Sequence, residues 1–198
     1  MTISSRRQAD TIRRKFDSES RTWADLYRGQ VTRYNQFDVL ARREMALELS
    51  TKVEQPAVVL DVGCGSGDFL EALISSSSKH GVCLGLDFSR EMLARCRSRS
   101  AARVPPSRFA TADARELPVA DDAVALAVCL GVIEYIVDHH RVLSEITRVI
   151  RPGGHAIISV PNRGSVFRKY DNRKWRPLRG IANCFRRGSA DSERVEGG

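Results

Sequence analysis

The sequence predicts an α/β fold, a doubly wound and mostly parallel sheet, and three observations predict it. Short, almost wholly apolar runs recur along the middle of the chain, helix-length stretches separate them, and a glycine-rich turn follows the first run. A strand that is apolar throughout is buried on both faces, as in a parallel sheet covered by helices. Right-handed crossovers then put the ligand crevice at the carboxyl ends of the strands.

Each element follows from its own pattern. Residues 5–28 are Arg-rich, with Ile12, Phe16, Trp23, Leu26 and Tyr27 at helical spacing, and predict a helix that packs one narrow stripe. QFDVLARREMALELS (36–50) predicts an amphipathic helix with Phe37, Leu40, Ala41, Met45, Leu47 and Leu49 as core candidates, and Gln55-Pro56 breaks the pattern. AVVLDV (57–62) reads as the first strand, GDFLEALISSS (67–77) as a helix and GVCLGLD (81–87) as the second strand. Ser89 is the N-cap expected for a helix over 89–101 that turns Met92 and Leu93 inward. Pro105-Pro106 marks a loop before a third strand at 107–113, and VALAVCLG (124–131) is the fourth. The helix DHHRVLSEITRVIR (138–151) buries Val142, Leu143, Ile146, Val149 and Ile150 and stops at Pro152-Gly153-Gly154, before a fifth strand at 155–161. The implied organisation is an N-terminal helical segment over 1–55, a ligand-binding core over 56–162 and a basic tail over 163–198.

Composition narrows the function classes. The chain has 198 residues, 42% hydrophobic and 28% charged, the balance of one soluble globular domain. No apolar run approaches the roughly 20 residues of a membrane-spanning helix, and the N-terminus lacks the apolar centre of a secretory signal. Five cysteines without CxxC or Cys/His pairing predict reduced thiols in a cytoplasmic protein and no metal site. The net charge of +8 comes chiefly from residues 161–198, which carry 10 basic and 4 acidic groups, while residues 56–160 carry 11 and 12. The basic tail carries no nucleic-acid signature and reads as a solvated flank. With Phe167, Tyr170, Trp175 and Phe185 interleaved, it also offers peripheral contact with an anionic membrane.

The loop VVLDVGCGSGDFL (58–70) poses the question of its ligand. A nucleoside-triphosphate loop needs Gly-Lys-Ser/Thr, but Asp68-Phe69 follows Gly67. A dinucleotide fingerprint needs its third glycine where Asp68 stands. Asp61 before the loop repels a pyrophosphate and favours a ligand bearing an ammonium and a sulfonium. Asp87, closing the second strand, is placed to accept ribose hydroxyls, and Asp113, ending the third, to meet an adenine amino group.

DVGCGSG, LGLDFSREML, TADARELP, LGVIEYI and RVIRPGGHAIISVPN, in this order, resemble the class I S-adenosylmethionine-dependent methyltransferases. The likeness is to small-molecule enzymes such as those of the ubiquinone and menaquinone pathways, and covers about residues 55–162. It implies S-adenosyl-L-methionine as cofactor and a small-molecule methyl acceptor. It also implies roles for individual positions. Gly63, Cys64 and Gly65 present backbone to the aminoacyl part, Asp61 organises the amine, and Asp87 holds the ribose. Phe88 and Met92 flank the adenine, Asp113 and Ala114 read its edge, and Leu130 and Gly131 line the path to the sulfonium. Glu134 and Tyr135 are the acceptor-side candidates for catalysis, and Trp23, Tyr27 or Tyr34 are candidates to cover the pocket. His139 and His140 are read as solvated, and the RPGG turn as structural.

The chain also departs from that family's pattern. Val124-Ala125 stands where an aromatic-aspartate pair is usual, and the 37 residues after Pro161 show no clear pair of strands for the family's final antiparallel hairpin. RKYDNRKWRPLRGIANCF (168–185) instead suggests a helix interrupted at Pro177, and the last ten residues suggest disorder. An unpaired sheet edge invites self-association or a partner. The competing readings are therefore a catalytically silent or shortened member that needs a partner, and an RNA methyltransferase, for which no catalytic motif is present.

Overall fold

The computed structural model describes residues 3–28, 34–54, 57–76, 81–100 and 108–162. The helix expected within 168–185, the disorder expected of the last ten residues and the membrane-facing tail lie outside them. The first helices are α1 (Ile3–Asp25) and α2 (Tyr34–Ser50), followed by β1 (Val58–Val62), α3 (Asp68–Ser76), β2 (Val82–Asp87) and α4 (Arg90–Ser100). β3 (Arg108–Thr111), β4 (Val124–Cys129), a 3-10 turn at Ile133–Tyr135, α5 (His139–Val149) and β5 (Ile150–Ile158) complete the order. The sheet runs β3-β2-β1-β4-β5, and every pairing is parallel. The order reverses between β1 and β4, so the crevice opens where the loops after these two strands diverge.

Burial on both faces explains why β1 and β4 are apolar throughout. Leu60, Val62, Ala127 and Cys129 pack with Val142, Ile146 and Val149 of α5. Their alternating neighbours Val59, Leu126 and Val128 pack with Phe69, Leu70 and Leu73 of α3 and with Ala46 of α2. Period-two alternation sends successive side chains to opposite layers, and all six residues of β4 are buried.

Local capping matches the sequence. The Ser89 Oγ accepts from the Met92 amide at 3.1 Å at the start of α4, and the Asp138 carboxylate accepts from the Arg141 amide at 3.2 Å at the start of α5. α1 lies against α4, with the Arg95 Nε donating to Ser20 Oγ at 3.0 Å and the Ser89 Oγ donating to Asp17 Oδ1 at 2.5 Å.

Three expectations need correction, the simplest being Leu143, expected in the buried stripe of α5 but 38% exposed. The buried face of α2 is not the one read from its large residues: Phe37 is 58% exposed and Met45 64%, while Val39 and Ala46 are buried. The helix is apolar around too much of its circumference for pattern to choose a side, and the small residues fit closest to α3 and the sheet. The RPGG segment is also not a turn ahead of β5. The strand begins at Ile150, paired with Val124, and its register shifts before Leu126 pairs with His155, so Arg151–Gly154 form a bulge within it. A bulge lets proline and glycine sit inside an edge strand without breaking the ladder on either side.

Candidate cofactor and acceptor site

The strand ends gather the chemistry. Gly63, Cys64, Gly65, Asp87, Phe88, Met92, Asp113, Ala114, Leu130, Glu134 and Tyr135 all line one cavity of about 180 Å³. Trp23 and Tyr27 reach it from the N-terminal segment. His139 and His140 are exposed at the start of α5, and the Tyr34 side chain lies outside the described residues. Arg13, Phe16, Arg42 and Arg115 line the cavity too, although the sequence reading gave them no part in the site. Phe16 carried a signal in its helical spacing, whereas Arg42 sits among ordinary surface charges of α2 and carried none.

Geometry shows how the glycine loop is held. Gly63 adopts φ +77°, and a Cβ there would lie 2.1 Å from Val132 Cγ2, so only glycine fits between the two loops. The Gly63 and Cys64 amides donate to the Leu86 carbonyl at 2.7 and 3.0 Å, and the Gly67 amide to the Cys64 carbonyl at 2.8 Å. The Gly65 amide donates to Asp87 Oδ2 at 2.8 Å. With these four N–H groups used inside the protein, the loop is not the nest of free amides that cradles phosphate.

Asp61 lies behind that loop rather than on the cavity wall. It is 2% exposed, and among the described residues no group donates a hydrogen bond to its carboxylate. Burial, then the charges of Asp87 and Asp68, push it up to about 8. Burial also raises Asp87, opposed by amides from Ser89 and Gly65. The Ser66 hydroxyl donates to Asp68. Carboxyls whose ionised forms are disfavoured by burial and by one another gain from a cationic ligand and gain nothing from a phosphoester. Nearby, burial and the carboxylates of Asp68 and Asp61 push the Tyr27 phenol up to about 12, which keeps it a hydrogen-bond donor.

Asp113 is already engaged. Its Oδ1 accepts from the Arg115 amide and Nε, each at 2.9 Å, and its Oδ2 accepts from Arg115 Nη2 at 2.6 Å. Burial works to raise this carboxyl, yet the hydrogen bonds and charge of Arg115 leave it below its ordinary value. Oδ2 is the oxygen with capacity for another donor.

The roof over the cavity is aromatic. Phe16 meets Tyr135 edge-on at 5.0 Å and Trp23 at 5.6 Å, and the Arg13 guanidinium lies 5.6 Å from the Phe88 ring. Beside it, Arg42 Nη2 donates to Asp38 Oδ2 at 2.8 Å, and Arg42 Nη1 stands 3.7 Å from Glu134 Oε1.

Known proteins match this domain in sequence and in fold. A model described as a methyltransferase domain matches residues 60–158. Trans-aconitate 2-methyltransferase of Deinococcus radiodurans is 32% identical over 154 residues, 77% of this chain and 54% of that protein. Demethylmenaquinone methyltransferase of Bacillus velezensis is 32% identical over 120 residues, 58% of this chain and 50% of that protein. The chain thus spans about half the length of these two relatives. Among solved structures, magnesium protoporphyrin IX methyltransferase of Synechocystis with bound S-adenosylmethionine superposes with TM-score 0.59 at 18% identity, covering 72% of each chain, and shows the shared fold. A chain from the Haloferax volcanii complex of the Trm112 methyltransferase activator with a methyltransferase gives TM-score 0.59 at 28% identity, over 72% of this chain and 58% of that one. With the matched domain filling half of its length and its glycine loop set among buried carboxylates, the chain belongs to the class I S-adenosylmethionine-dependent methyltransferases.

Proposed function

We propose that this chain transfers a methyl group from S-adenosyl-L-methionine to a small-molecule acceptor. The observation that carries the reading is Asp61, buried without a hydrogen-bond donor among the described residues and beside Asp87, behind a loop whose amides are already bonded. Those residues fit a ligand with positive charge and an adenosine. When bound, the cofactor supplies an electrophilic methyl group on a sulfonium.

The side chains divide the remaining work. Asp87 accepts from the ribose hydroxyls, Phe88 and Met92 enclose the adenine, and Asp113 Oδ2 with the Ala114 backbone reads its edge. The buried Asp61 carboxyl, held up to about 8 in the ligand-free chain, gains from the positive charge of the amino group on the other side of the loop, which favours its ionised form. Gly63, Cys64 and Gly65 give close approach of the backbone, and Leu130 flanks the path to the acceptor. Phe16, Trp23 and Tyr135 exclude water, and alignment with exclusion of water is the main catalytic contribution in such a displacement. Glu134 takes the proton from a hydroxyl or amine acceptor, a role that a carboxylate acceptor leaves idle.

Isothermal titration of S-adenosylhomocysteine tests the reading. Micromolar binding is expected for the natural chain, with most of it lost in Asp87→Ala, and unchanged binding in that variant refutes the site.

No described helix is long and apolar enough to cross a membrane. Cys64, Cys83, Cys96 and Cys129 are thiols rather than disulfides, which supports a reducing, cytoplasmic setting. Among the described residues β5 pairs only with β4, and that edge is where a partner or second copy would add.

A further inference from the structure

The glycine loop is backed by acids. Asp61 is 2% exposed, and among the described residues no group donates a hydrogen bond to its carboxyl. A carboxyl buried in this way, with no counter-ion and no donor, keeps its proton in preference to a charge. We propose that Asp61 makes cofactor binding proton-linked, the incoming ammonium expelling one proton from this carboxyl to solvent. The inference rests on the functional reading above and adds the regulation of that same site by pH.

The groups around Asp61 supply no cation. Asp87 and Cys83 bear on it from β2, Asp68 from the start of α3, Cys64 from the loop, Cys129 from β4 and Tyr27 from the end of α1. The charges of Asp87 and Asp68 disfavour an ionised Asp61. An ionised Asp61 in turn disfavours ionisation of the Tyr27 phenol and of the three thiols. All six neighbours are acids, so none of them serves as its counter-ion. Farther out, Asp17 of α1 adds negative charge at Asp87, and Glu134 adds it at Cys129. The guanidinium groups of α2 are committed elsewhere: Arg42 Nη2 donates to Asp38 at 2.8 Å and Arg43 Nη2 to Glu44 at 2.7 Å. Both act on Tyr27, and neither relieves Asp61.

The loop separates this cluster from the cavity without neutralising it. Gly63, Cys64 and Gly65 line the cavity wall, and their amides donate to the Leu86 carbonyl and to Asp87, not to Asp61. A ligand ammonium across the loop therefore brings the counter-ion that the cluster lacks. The O–H bond of Asp61 breaks, its electron pair stays on the carboxylate, and the proton passes to solvent. Asp87 differs, because amides from Gly65 and Ser89 at 2.8 and 2.7 Å already support its charge.

Isothermal titration in buffers of different ionisation enthalpy counts the protons released. At pH 7 the natural chain should release close to one proton per S-adenosylhomocysteine bound, since a carboxyl pushed up to about 8 is mostly protonated there. With 5′-methylthioadenosine, which lacks the amino acid, it should release none. Affinity for S-adenosylhomocysteine should rise by up to about tenfold per pH unit below about pH 8 and level off above. Asp61→Asn should release no proton, match the natural chain's affinity near about pH 5 and fall behind it as pH rises. A natural chain that binds S-adenosylhomocysteine without releasing a proton overturns the proposal, and so does equal release with the two ligands. Neither result depends on the variant folding. Undiminished release from Asp61→Asn overturns it as well, because the proton then comes from another group. A natural chain that binds neither ligand refutes the functional reading itself, and is thereby told apart from failure of the proton linkage alone.

Discussion

Asp61 shows how one side chain ties stability to function. Its folded-state value of about 8 stands above the ordinary 3.8 because burial and neighbouring carboxylates disfavour its charge. Between those values the folded chain binds the proton more tightly than the unfolded chain, so stability falls as pH rises from about 4 to about 8 and levels off above. The slope from this one group is at most about 1.4 kcal/mol per pH unit. Thermal melts of the ligand-free protein should therefore drop more steeply between pH 5 and pH 8 than those of Asp61→Asn, whose side chain cannot ionise. Parallel profiles would show that the carboxyl titrates normally. Glu145 carries the opposite sign: the Arg148 side chain, which donates to it at 2.7 Å, and the Leu117 amide hold it down to about 2 against the effect of burial. Its contribution is present above the ordinary carboxylate range and fades as pH falls toward 2. The position of Asp61 near the end of β1 is legible in the sequence, but its burial without a donor among the described residues is not, because the residues that close over it come from other elements.

At the scale of the element, α2 separates pattern from packing. Its apolar residues surround so much of the helix that Phe37, Met45 and Leu49 face outward, while Ala46 enters the layer with Leu70 and Leu73. α3 is unambiguous by contrast, and its buried Phe69, Leu70 and Leu73 follow helical spacing. Met45→Gln should leave stability within about 0.5 kcal/mol of the natural chain, whereas Leu73→Ala should cost about 2–5 kcal/mol through lost transfer energy and a cavity. Urea denaturation of the two variants checks this, and comparable costs would place Met45 in a packed interface. β5 teaches a related lesson: Pro152 and the two glycines after it signal interruption, and the bulge shows that parallel pairing resumes around them.

Across the whole molecule, α1 links both halves of the crevice. It meets α4 through Asp17–Ser89 and Ser20–Arg95, and it meets the turn after β4 through Phe16–Tyr135. A helix that roofs the cavity from both sides is expected to become more protected when a ligand fills the space below. Hydrogen exchange with S-adenosylhomocysteine should slow the amides of α1 and leave those of α5 unchanged. Equal protection in both helices would indicate general tightening in place of a roof.

The parallel α/β fold, the glycine loop and the carboxylates at the ends of β1 and β2 were legible because each depends on short-range pattern: alternation through a doubly buried strand, a tight turn, a side chain at a strand terminus. The buried face of α2, the bulge within β5, the engagement of Asp113 by Arg115 and the arrival of Arg42 beside Glu134 emerged only in three dimensions. Local sequence sets backbone propensity and polarity, whereas which face is covered, and which distant charges meet, depends on the helices and strands that surround a residue after folding.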